Sequence, residues 1–270
     1  MTLKHCYILV EGQQDVLFLG RIFQTIGVHD VRNVDEISRV WTPLIDTRRL
    51  NEHRGLIAAD RVGLEIHQLF NGVCFQNSTH SIVVRKVGGQ GRQFKRNLES
   101  IHSLLDGGLA ALTAVGLVPD ADDNPQGVRQ SSEAALSAVA LPIPKDLADL
   151  HIGQPNTGIY PLPRPTETGA VEDLMLDCAQ SVYPTLHAGA LAFIDSIDRT
   201  LPSFTPEDLA EINGPRGRVK AAVGCISSFL KPGSTVQVSI LKDRWVSSNT
   251  VALPRIHAIL DFLKNLCELP

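Results

Sequence analysis

The stretch HCYILVEGQQDVLFLGRIFQTIG, residues 5–27, decides the fold. Its first six residues form a short run rich in β-branched and aromatic side chains, the pattern of a buried strand. The run stops at Glu11-Gly12. From Gln14 onward Val16, Leu19, Phe23 and Ile26 recur at helical spacing, and Gly27 marks the stop. Strand, tight turn and helix are the opening unit of an α/β fold.

Working outward, SIVVRKV (81–87) reads as a second strand, followed by Gly88-Gly89-Gln90-Gly91. Residues 94–105 read as a helix ended by Gly107-Gly108. Residues 109–118 run into a central strand closed by Pro119, and residues 130–140 read as a helix beyond the loop 120–125. This order predicts parallel strands joined by right-handed crossovers. Beyond Pro142 prolines multiply, which favours loops and edge strands. A short strand is expected over 157–162, and helices over 169–182, 188–199, 207–212, 218–230 and 253–266. The expectation is an α/β chain with a central, mostly parallel sheet flanked by helices and a helical C-terminal cap. Residues 1–145 would form the core, with an inserted segment at 29–75. Residues 146–270 would supply the remaining sheet edge and helices of one continuous domain. Within the insertion, residues 64–70 look helical and Arg48, Arg49, Arg54 and Arg61 make it basic.

Composition narrows the function classes. The 270 residues are 43% hydrophobic and 20% charged, near the globular average, which excludes a mostly disordered chain. A net charge of −4 is unlike a basic nucleic-acid coat protein, although a local basic face or bound cations can offset a mildly acidic average. The five cysteines include no C-x-x-C pair, so a zinc knuckle or thioredoxin motif is absent. The nine histidines show no H-x-x-x-H spacing, Gly88–Gly91 is not followed by G-K-[ST], and no G-x-S-x-G elbow occurs. Without a signal peptide or an apolar run of about 20 residues, a cytoplasmic protein with no membrane association is expected.

Three acidic features stand at predicted strand ends: Glu11 after the first strand, and Asp120 and Asp122 after the strand ending at Val118. In open parallel sheets ligands bind beyond the carboxyl ends of the strands, so these positions can converge. Gathered carboxylates repel one another unless they protonate or a cation joins them, and hard divalent cations such as Mg²⁺ suit oxygen ligands.

These residues carry a resemblance. ILVEGQQDVLFL (8–19) followed by GLVPDADDNP (116–125) resembles the TOPRIM domain of topoisomerases, bacterial primases and several nucleases. Glu11-Gly12 matches its first signature and Asp120-Ala121-Asp122 its second. Gly88-Gly89 resembles the glycine turn between them. The step from Glu11 to Asp15 resembles the E-G-x-x-[DE] pattern of OLD-type nucleases, whose second acid adds a metal ligand. TGIYPLPRPTETGAVEDLML (157–176) and RVKAAVGCISSFLKPGSTVQVSILKDRW (218–245) resemble the later part of a small stand-alone TOPRIM-like bacterial family related to them. There an acidic pair opens one helix and a Lys opens a later one, here Glu172-Asp173 and Lys220. The segment 29–75 departs from the pattern by being longer.

The resemblance implies a Rossmann-like TOPRIM fold and a Mg²⁺- or Mn²⁺-dependent phosphoryl transfer, most simply a nuclease acting on DNA or RNA. Asp120 and Asp122 would hold the metal and Glu11 would bind it or move a proton. Asp15, Glu172 and Asp173 would complete a second site, and Lys220 would neutralise transition-state charge. Arg85, Lys86, Arg92, Lys95 and Arg96 flank the Gly88-Gly89 turn as candidate phosphate-backbone contacts. Each has a plainer reading: Asp15, Glu172 and Asp173 as helix-start acids, Lys220 and the basic set as solvated surface. The alternative function is a non-catalytic module that binds a metal-nucleotide, nucleic acid or protein partner, in a defence or toxin–antitoxin role. A topoisomerase or full primase is not expected of a chain this short with three tyrosines, and a receiver site fits poorly because its acidic pair would follow the first strand, where this chain has only Glu11.

Overall fold

The computed structural model describes residues 3–31, 34–45, 72–89, 91–242 and 245–270. The opening reading holds. β1 (Lys4–Val10) is followed by α1 (Gln13–Thr25), whose Ile26–Gly27 exit turns left-handed at Gly27 with φ +78°. The short β2 (His29–Asp30) and two 3₁₀ turns, Val34–Glu36 and Arg39–Leu44, come next. β3 (Gly72–Gln76), β4 (His80–Lys86), α2 (Arg92–Leu104), β5 (Ala114–Val118) and α3 (Pro125–Ser137) complete the first half. β6 (Leu150–His151), β7 (Asn156–Ile159), α4 (Val171–Val182), α5 (Pro184–Ser196), α6 (Pro206–Ile212), α7 (Gly217–Leu230), α8 (Val236–Leu241) and α9 (Pro254–Cys267) follow.

The strands form one sheet of order β2-β3-β4-β1-β5-β7-β6. Its centre, β4-β1-β5-β7, is parallel; β2, β3 and β6 pair antiparallel at the two edges. This is the expected α/β class with a mostly parallel core. β1 lies between two parallel neighbours and is buried on both faces, which explains its unbroken apolar run. Cys6, Ile8 and Val10 pack with α1, α4 and α9 on one side of the sheet. Tyr7 and Leu9 pack on the other side with Phe94, Leu98 and Ile101 of α2 and Leu136 of α3.

Two expectations change. The sheet enters both ends of the segment read as an insertion at 29–75, because β2 lies at its start and β3 begins before its end. GVCFQ is too short and too mixed to announce a strand. Gly72 is required there by close approach, since a Cβ would stand 2.2 Å from the Val84 carbonyl oxygen. The helix expected over 130–140 begins earlier, at Pro125, where Asn124 Oδ1 accepts the Gly127 N–H at 2.9 Å. The expected helix over 64–70 and Arg48, Arg49, Arg54 and Arg61 lie outside the described residues. No helix among the described residues is long and apolar enough to cross a membrane.

Candidate functional site

Hydrogen bonding between strands continues past the named strand ends and builds the site. The N–H of Val87 donates to Val10 O and that of Gly88 to Glu11 O, each at 2.9 Å, so the Gly88-Gly89 turn stays beside Glu11. On the other side Val10 pairs with Val118, which brings Asp120 to the same edge. The Asp120 N–H donates to Glu11 Oε1 at 3.0 Å. Beyond β7 the chain stays along β5: Tyr160 N–H donates to Leu117 O and Leu162 N–H to Pro119 O. That path delivers the start of α4 to the carboxyl edge, where the Val171 N–H donates to Asp120 Oδ1 at 3.1 Å. A helix N-terminus favours an anion, so Asp120 is held by backbone donors.

The two helices that open onto this edge start by one device. At α1 the N3 residue Asp15 turns back to accept the Gly12 N–H at 2.6 Å; at α4 the N3 residue Asp173 accepts the Ala170 N–H at 2.8 Å. Gly169 makes room for the second: its φ is +135° and a Cβ there would stand 2.5 Å from Asp173 Oδ2. The helix-start reading of both acids is therefore correct, yet they are not equivalent. Asp15 also lines the cavity, with 3% exposure. Asp173 instead meets the Arg216 guanidinium at 2.5 Å, and Glu172, one residue earlier, lines the cavity.

The cavity has a volume of about 380 Å³. Glu11, Asp15, Asp120 and Glu172 bring carboxylates to it; Gln13, Gln14, Gln237 and the Gly88-Gly89 backbone complete the wall with Gly12 and Val171. Gln14 Oε1 is buried with no hydrogen-bond partner. Burial, and then the charges of Asp15, Glu11, Glu172 and Asp122, push the Asp120 carboxyl well above the usual carboxylate range. Burial pushes Asp15 up to about 6, against the lowering pull of the Gly12 N–H and with a further push from Glu172. The nearby cation is Arg216, at the start of α7. Although burial disfavours its charge, Asp173, Glu172 and Asp120 hold it protonated.

Of the residues singled out from sequence, Glu11, Asp15, Asp120 and Glu172 come together. Asp122 does not line the cavity. It is exposed, left-handed at φ 46°, and its backbone is bridged to Gly169, so the D-x-D does not present both carboxylates to one point. Lys220 is exposed on α7, a turn beyond Arg216, and does not line the cavity. Arg216 is the residue that sequence reasoning missed, and the Gly-Pro before it, ahead of the predicted helix, was the available signal. Arg85 and Lys86 are half-buried, Arg85 Nη1 lying 3.5 Å from the Tyr7 hydroxyl on the sheet face of α2. Arg92, Lys95 and Arg96 are exposed on α2, and none of these five basic residues lines the cavity.

The donor set fits a hard divalent cation in kind: oxygen only, anionic, and buried at Asp15 and Glu172. As placed, no three Asp, Glu, His or Cys side chains among the described residues are gathered closely enough to hold one ion.

A family model described as "Protein of unknown function (DUF3226)" matches residues 6–268. Among solved structures, a hypothetical protein, PH0156 from Pyrococcus horikoshii OT3, is similar at 14% identity and a TM-score of 0.48. The likeness covers 99% of this chain and 96% of that one. No curated protein matches the chain.

Proposed function

This chain belongs to the DUF3226 family, and we propose that it is a divalent-metal-dependent phosphoryl-transfer enzyme of TOPRIM-like relationship, a nuclease acting on DNA or RNA. The observation that carries this reading is the convergence of Glu11, Asp15, Asp120 and Glu172 on one cavity at the carboxyl edge of the parallel strands. Burial, and then the neighbouring carboxylates, raise Asp120, as expected of a site that works with added positive charge.

Glu11, Asp15, Asp120 and Glu172 would hold Mg²⁺ or Mn²⁺. A cation held by these residues would supply Lewis-acid activation of a phosphate oxygen. The chain's own residues do the rest. The Glu11 carboxylate fixes the loop after β5 through the Asp120 N–H. Asp15, whose carboxyl burial raises to about 6 without metal, would give up its proton as the cation binds. The N-terminus of α4 and Arg216 lower the cost of negative charge arriving with the phosphate.

The test is cleavage of plasmid DNA and of RNA with Mn²⁺ or Mg²⁺, in wild type and in Glu11→Gln and Asp120→Asn. Metal-dependent cleavage lowered at least about 100-fold in both variants is expected, the scale of losing a group that stabilises transition-state charge. Metal-dependent cleavage that survives both substitutions would refute the assignment. A second reading, a non-catalytic module that binds a metal-nucleotide, is favoured by one observation: none of the five basic residues expected on a polynucleotide backbone lines the cavity. Metal-dependent nucleotide binding without turnover would select it.

A further inference from the structure

We propose that Arg216 is the resident counter-ion of the acidic cavity, and that a divalent cation enters by displacing it from Glu172. The inference rests on the metal reading above and concerns what controls that site.

Arg216 Nη2 stands 2.5 Å from Asp173 Oδ2 and 3.7 Å from Glu172 Oε2. All three side chains are largely withdrawn from water, at 17%, 23% and 12% exposure. The guanidinium is thus held between a carboxylate committed to the α4 cap and one that lines the cavity. The hold is mainly electrostatic. Nη2 grips Asp173 closely and reaches Glu172 only at 3.7 Å, so the contact with Glu172 is the weaker of the two. Its backbone position, by contrast, is firm. Arg216 precedes α7, where a Cβ on Gly217 would lie 2.3 Å from the carbonyl oxygens of Glu211 and Ile212, so the end of α6 sits tightly against it. A guanidinium anchored on Asp173 and only distantly paired with Glu172 can give up Glu172 without leaving its place. A divalent ion carries twice the charge and exchanges the Glu172–Arg216 attraction for a stronger one, leaving Arg216 on Asp173.

The test is calorimetric titration of Mn²⁺ into wild type, Arg216→Met and Lys220→Met, beside thermal melting of each with and without Mn²⁺. Removing the competing charge at Glu172 should tighten Mn²⁺ binding by at least about tenfold in Arg216→Met. Lys220→Met, which removes an exposed charge one turn away, should shift it less than about threefold. Without metal Arg216→Met should melt below wild type, and Mn²⁺ should raise its midpoint more than that of wild type. Where Arg216→Met does not fold, Arg216→Gln, which keeps amide donors for Asp173, takes its place with the same expected gain. Wild-type binding with equal or weaker binding in the variant would overturn the counter-ion role and leave the metal reading standing. Binding by neither would overturn the metal reading and this inference with it. Binding by the variant alone would show that Arg216 blocks the ion and does not yield to it, and would overturn the displacement.

Discussion

Asp15→Asn separates the work Asp15 does for the fold from the penalty its charge imposes. The carboxyl is 3% exposed, accepts the Gly12 N–H at 2.6 Å, and titrates near 6 against 3.8 when unfolded. A folded value above the unfolded one means the native state binds the extra proton. Asp15 therefore contributes its full stability below pH 3.8 and loses it as pH rises through about 6. The difference corresponds to about 3 kcal/mol against the folded state at pH 7.5. Asparagine has no anion to desolvate, and its Oδ1 still accepts from Gly12, at a cost of about 1 kcal/mol for the weaker neutral bond. The variant should be more stable than wild type by about 2 kcal/mol at pH 7.5, and within about 1 kcal/mol of it at pH 4. In melting this is a rise of about 4–8 °C at the higher pH. Urea unfolding at both pH values, with a chelator present, reads the difference directly. A variant less stable by the same amount at both pH values would show that burial does not penalise the Asp15 charge.

Glu11→Gln keeps the acceptor for the Asp120 N–H and removes a charge that raises Asp120, so stability at pH 7.5 should hold or rise by about 1 kcal/mol; a drop above about 2 kcal/mol in urea unfolding would contradict this. Gly169→Ala would place a Cβ against Asp173 Oδ2 and Pro163, break the return bond to Ala170 and disturb Arg216; thermal denaturation should show a loss of about 2–4 kcal/mol. Ser239→Ala removes the hydroxyl that accepts from Ser227 at 2.9 Å and from Trp245 Nε1 at 2.7 Å, leaving two buried donors; urea unfolding should register about 2–4 kcal/mol, whereas an exposed serine such as Ser103 changed to Ala should cost under about 0.5 kcal/mol.

Local periodicity is what the sequence by itself determined. A β-branched run ending on Glu11-Gly12, a helix of period 3.6 after it, and Pro119-Asp120 after the run at Val118 are patterns within one element. A parallel sheet turns those ends to one edge, so Glu11 and Asp120 could be placed together from sequence. Tertiary structure decided the rest. Whether Glu172 or Asp173 enters the cavity depends on about 100° of rotation per helical residue at the start of α4, and that is fixed by the Asp173 bond to Ala170. Asp122 is turned out by a bridge to Gly169, 47 residues away in sequence. β3 exists as a strand because β4 pairs with it and Gly72 lets the two backbones close, which no alternation in GVCFQ announces. Arg216 reaches the acids because α7 packs where it does, while Lys220, on the next turn, remains in solvent. Residue type and spacing set which groups are available at an edge; long-range backbone pairing and the phase of each helix start set which of them face one another.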